Sequence, residues 1–169
     1  MKGRYKMKTD NSYEDAAENI AGALCEKADR QGWIYEKRTT EGVTSFIFQV
    51  PGKPWTGEIW VSVDRNGGIL EMASLLLKGM AAEKRAEAAV IVNTYNMGNL
   101  LGMLEMDIRT GEVWYKIKLS IAGCREQWIN WEDLMDYVST EAKLYRNLLM
   151  QLNIGGMTVS QILQQMKQQ

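Results

Sequence analysis

The chain has 169 residues, 46% of them apolar, with 20 basic against 21 acidic side chains and a formal charge of −1. That is long enough to bury a core without covalent staples, and the near-zero charge gives no bulk attraction to nucleic acid or to an anionic membrane. Histidine is absent, which removes the commonest general base and the commonest metal ligand together.

Ser-His-Asp and Cys-His nucleophile systems are therefore impossible. Cys25 and Cys124 have no metal-ligand spacing and form no disulfide framework, so they read as small, buried apolar side chains in a reducing compartment. No Walker loop, G-x-G-x-x-G or G-x-S-x-G occurs, and "RNGG" and "NIGG" read as turns. No catalytic residue, cofactor site or metal site is expected.

The N-terminal "MKGRYKMKTD" is basic, but the polar "NSYEDAAENI" stands where a signal peptide needs an apolar run. Residues 1–9 are expected to be frayed and solvated. No stretch approaches the length of an apolar membrane span, so the expectation is a cytoplasmic protein bound neither to membrane nor to nucleic acid.

Residues 11–32 predict a helix, with Asn11 or Ser12 as N-cap, Glu14 and Asp15 in the first turn, and Gly32 at the end. Tyr13, Ala17, Ile20, Leu24 and Ala28 form its apolar stripe. Four strands follow, "WIYEKRT", "VTSFIFQV", "TGEIWVSVD" and "ILEMASLLL". They are broken by "EG", by the PGKP stretch at 51–54, and by an Asn66-Gly67 hairpin signal, which together imply an antiparallel meander. Ile59, Val61 and Val63 share one face of the third strand, and Trp60 and Ser62 the other.

"AAEKRAEAAVIVNTYNMGN" predicts a second helix, with Ala82, Ala86, Ala89, Val90 and Asn93 down one side, close against a neighbour. Residues 100–119 alternate around a Thr-Gly and predict a hairpin that pairs Ile108 with Val113, Met106 with Tyr115, Leu104 with Ile117 and Glu105 with Lys116. Leu104, Met106, Ile108, Tyr115 and Ile117 are expected to face the helices. Leu101, Met103 and Trp114 are expected to face outward. In the long helix that follows, Trp131, Met135, Val138, Ala142, Tyr145, Leu149 and Leu152 make one seam, broadened by Trp128, Leu134, Leu144 and Leu148. Gly155 and Gly156 end it, and residues 155–169 hold a weakly amphipathic tail helix. No internal linker divides residues 1–169, which read as a single domain.

The fold class is α+β, an antiparallel sheet flanked by helices in the order α-β-β-β-β-α-β-β-α. The stretch from Asn66 to Leu152, through "ILEMASLLL", "VNTYNMGNLLG" with its Asn93-x-x-Asn96 pair, and "LEMDIRTGEVWYKIKL", resembles the YbjN family of bacterial proteins. The element order looks like the type III secretion chaperone-like fold to which that family belongs. The resemblance implies no catalytic residues, a sensory-transduction or chaperone-like role, capture of an extended partner segment, and a dimer. The chain departs from the pattern with "KGM" at 78–80, with its extra Gly-Gly and tail helix, and in being less acidic than secretion chaperones.

The function expected is a non-catalytic protein-interaction module, chaperone-like or regulatory, that binds a partner protein segment and forms a homodimer. Leu101, Met103, Trp114, Trp128, Trp131, Met135 and Tyr145 are its expected contact residues. The alternative is a small-molecule sensing domain whose apolar pocket, between the sheet and the last long helix, is lined by Trp128, Trp131 and Tyr137.

Overall fold

The computed structural model describes residues 12–49, 57–122 and 124–168. The frayed terminus expected at 1–9 and the break at 51–54 lie outside the described residues. Helix α1 (Ser12–Gln31) leads to β1 (Ile34–Thr40), β2 (Val43–Gln49), β3 (Glu58–Asp64) and β4 (Ile69–Leu77). A single 3-10 turn then enters α2 (Arg85–Gly98), followed by β5 (Gly102–Asp107) and β6 (Glu112–Ser120). Another 3-10 turn precedes α3 (Trp131–Asn153), and α4 (Val159–Met166) closes the order. The class is α+β, as expected.

All neighbouring strands pair antiparallel, in the order β1-β2-β3-β4-β6-β5. The meander continues through β4 onto β6, and β5 takes the far edge. Period-two alternation sorts the faces. Phe46, Phe48, Ile59, Val61, Val63, Leu70, Met72, Leu104, Val113, Tyr115 and Ile117 point into one core shared with the helices. The α3 seam is buried along its whole length, from Trp131 to Leu152. Burying seven large side chains at about 1.5–3 kcal/mol each is what holds a 23-residue helix flat on a sheet.

The helix ends are closed as their residues dictate. Gly32 sits at φ 66° after α1, and the Trp33 amide donates to Ala28 O at 2.9 Å, a Schellman closure. Asn130 caps α3 by accepting from the Asp133 amide. In α4, Thr158 and Gln161 form a reciprocal capping box, and Ile162 is fully buried. The tail helix is thus a packed element lying against α2, more than its weak expected amphipathicity implied.

Two local expectations are corrected. The buried side of α2 is Ala88, Ile91 and Tyr95, whereas Ala82, Ala86, Val90 and Asn93 face solvent. Ile91 and Tyr95, one turn apart, remove far more area from water than a row of alanines, so they decide the rotation. The β5–β6 register is shifted by two residues: Met106 pairs with Val113, Leu104 with Tyr115, and Glu105 with Trp114. A two-residue shift leaves the side chains still within the two strands on their expected faces.

The shift comes from the turn at 108–111. The Asp107 carboxylate accepts from the Arg109 and Thr110 amides at 2.8 and 3.3 Å, the Gly111 amide donates to Asp107 O at 2.7 Å, and Gly111 takes φ 79°. That geometry uses four residues in place of two and leaves Ile108 in the turn, 57% exposed, away from the helices. The same hydrogen bonds hold the Asp107 carboxyl below its ordinary range.

One sheet edge is sealed from the side. Asn96, on α2, donates through Nδ2 to Leu104 O at 2.9 Å and accepts through Oδ1 from the Leu104 amide at 2.8 Å, so its amide imitates a neighbouring strand. Asn96→Ala is expected to lower stability by about 1–3 kcal/mol, the cost of unsatisfied buried backbone groups. Urea unfolding, followed by circular dichroism, measures it; a loss below about 0.3 kcal/mol would mean that water replaces the amide freely.

Candidate functional site

Because the helices share one face of the sheet, its other face has no helix over it among the described residues. Cross-strand register builds a row there: Ile47 opposite Trp60, Trp60 opposite Ala73, Ala73 opposite Lys116, and Lys116 opposite Met103. The next pair along is Leu75 with Trp114. The Trp60 and Trp114 rings meet edge to face with centroids 6.0 Å apart. Ala73, the smallest side chain of the row, is buried although it lies outside the core. A larger residue there would separate the two indoles.

The charges around this aromatic pair are mutually satisfied. Lys116 Nζ lies 2.8 Å from Glu105 and 3.9 Å from Glu71, and Lys118 lies 3.3 Å from Glu71. Trp114 Nε1 donates to Glu112. Lys116 also holds the Glu105 carboxyl below its usual range. The result is an apolar centre with a neutralised polar rim.

Of the expected contact residues, Met103 and Trp114 lie together on this face, and Leu101 is exposed in the loop just before β5. Trp131, Met135 and Tyr145 point from α3 into the core. Trp128 stands apart in the turn before α3, 66% exposed, with the Arg125 guanidinium 5.4 Å from its ring centre. Trp60, Ala73, Leu75 and Ile47 were missing from that expectation. The period-two pattern of "EIWVSVD" places Trp60 outward, but only the strand order β3-β4-β6 brings it beside Trp114.

The three residues of the alternative pocket differ in burial. Trp128 is exposed, Trp131 is in the core, and Tyr137 is half-buried beside Tyr115. A cleft of about 280 Å³ that does include Trp131 lies between α1 and the turn before α3. Its cations are engaged already, Lys27 with Glu132 at 3.0 Å and Arg30 with Glu26 at 4.0 Å. Among the described residues no group of three or more metal-ligating side chains comes together, and no helix is long and apolar enough to cross a membrane.

Behind the sheet, Tyr95, Tyr115 and Tyr145 form a buried cluster. Tyr95 Oη donates to Glu141 at 3.2 Å and lies 3.5 Å from Tyr115 Oη, and its ring meets Tyr145 edge to face at 4.5 Å. A Cβ at Gly102 would collide with the Tyr115 hydroxyl, so this glycine is the space in which that hydroxyl sits. Burial pushes all three phenols upward, Tyr145 to about 12.

The chain resembles, in three dimensions, a chain of the crystal structure of the ExsC-ExsE complex, with a TM-score of 0.46 and 12% identity over 79% of this chain and 95% of that one. No protein-family model matches the chain, and no curated protein does.

The tyrosine cluster makes stability depend on alkali. Unfolded phenols ionise near pH 10, whereas the folded ones stay protonated, so above that pH the unfolded state loses protons that the folded state retains. Stability is therefore complete below pH 10 and falls above it, by about 1.4 kcal/mol per pH unit for each tyrosine in that window. Thermal melts from pH 8 to 11.5, with phenolate absorbance read alongside, test this. Phenolate absorbance near pH 10, without unfolding, beyond what the four tyrosines outside the cluster can supply would show the cluster to be open to water.

Proposed function

We propose that the chain is a non-catalytic protein-interaction module, chaperone-like or regulatory, which holds a segment of a partner protein on the open sheet face and associates with itself. The observation that carries this reading is the Trp60 and Trp114 pair, seated over Ala73 on a face with no helix over it among the described residues and surrounded by paired charges. Tryptophans in such a setting are the usual anchors of protein interfaces, and a contiguous exposed apolar patch marks an interaction site. The resemblance of residues 66–152 to the YbjN family points the same way. The free thiols of Cys25 and Cys124 favour a reducing, cytoplasmic setting.

The occupant that suits this face is a peptide segment with apolar side chains on one side and few charges, because the rim charges already answer one another. The test is a displayed random-peptide library selected on the wild-type chain and titrated against a Trp60→Ala, Trp114→Ala double variant. Selected peptides are expected to bind the variant at least about 30-fold more weakly, since truncating one anchor costs about 2 kcal/mol or more. Equal affinity for both proteins, with both folded by circular dichroism, would overturn the reading.

A further inference from the structure

The two edges of the sheet are treated differently. The β5 edge is closed by Asn96, whereas the β1 edge has no strand beside it among the described residues. The turn between β1 and β2 consists of Glu41 at φ 50° and Gly42 at φ 86°, a type I′ hairpin turn between Thr40 and Val43. Such a two-residue turn closes on a hydrogen-bonded pair, and hydrogen-bonded pairs alternate along a ladder. Thr40, Arg38, Glu36 and Ile34 therefore spend their backbone groups on β2, and Tyr35, Lys37 and Thr39 direct theirs to the open edge.

We propose that this edge pairs with the same edge of a second copy of the chain, antiparallel, with the two-fold axis at Lys37, so that two sheets become one. The proposal rests on the self-association in the reading above and not on capture of a partner by the sheet face. Lys37 is the midpoint of β1, so this register overlaps the whole strand. It sets Lys37 against Lys37 of the second copy and Tyr35 against Thr39, in both directions, as hydrogen-bonded pairs. Every outward backbone group of those residues is thereby satisfied.

The side chains choose the same register. Glu36 and Arg38 lie on the open sheet face, where they pair within the strand at 3.0 Å. Across the axis each Glu36 falls opposite the other copy's Arg38, in the non-hydrogen-bonded position where side chains approach most closely. Shifting the register by two residues in either sense sets Glu36 or Arg38 against itself. The one like-charge encounter, Lys37 with Lys37, is relieved because this ammonium is drawn back over its own core, 3.7 Å from Cys25 Sγ and 5.6 Å from the Phe46 ring centre.

Light scattering after gel filtration, over a dilution series, tests the pairing with the wild type, Glu36→Arg, Arg38→Glu and the double exchange, each checked for fold by circular dichroism. The wild type is expected at twice the chain mass. Each single reversal, which sets like charges opposite each other twice per dimer, is expected to raise the dissociation concentration about tenfold or more, and the double exchange to restore it. A dimer indifferent to the reversals, or one that the exchange does not rescue, would overturn the edge pairing alone. A monomer at every concentration would overturn it together with self-association, the role of charges on an edge strand then being to prevent pairing.

Discussion

The pairing of β4 with β6 is the join on which the rest depends. It ties the β1–β4 meander to the β5–β6 hairpin, which the chain reaches only after passing through α2. The ladder runs from Ile69 with Ser120 to Leu77 with Val113, and it absorbs one extra residue, Leu76, whose side chain is buried. Everything on both faces is positioned by this seam. Inward, it aligns Leu70, Met72 and Ser74 with Leu119, Ile117 and Tyr115 beneath α3. Outward, it brings Trp114 within reach of Trp60 across a strand whose intervening residue is alanine.

A sheet with helices on one side must solve two problems by different means. The inward face is held by apolar burial, with no charged side chain buried in it among the described residues. The outward face meets water with ion pairs and hydroxyl pairs such as Ser45 with Ser62 at 3.1 Å, placed around a small aromatic centre. Exposed ion pairs of this kind add little stability. Their effect is to neutralise the rim, so that the aromatic centre is left as the main apolar feature of this face.

Element type and order were legible because they depend on local periodicity. The α3 seam, the alternation of β3 and the outward placement of Met103 and Trp114 all follow from spacing alone. The exact pairing in the β5–β6 hairpin was not legible, because Asp107 commits its carboxylate to the turn amides, and only that geometry separates a four-residue from a two-residue turn. The rotation of α2 was misread, since an alanine row and an Ile91 and Tyr95 pair both have helical spacing, and the choice between them is made by tertiary burial. The aromatic pair on the open face was half legible: each tryptophan pointed outward in the sequence, but their meeting is a property of strand order.

The way β1 is attached has a consequence for motion. Its strand partner among the described residues is β2, and it touches α1 only through Tyr35 with Asp29 and Lys37 with Cys25 among the bonds of its side chains. Apart from half-buried Tyr35 those side chains lie exposed, whereas β3, β4 and β6 are pressed beneath α3. Resistance to local opening is therefore graded across the sheet, low at β1 and rising toward the centre. The amides of β1 should exchange with solvent deuterium through small fluctuations, while those of β4 and β6 should exchange only when the whole domain opens. The strand with the least to lose by moving is also the one whose backbone still has an open side.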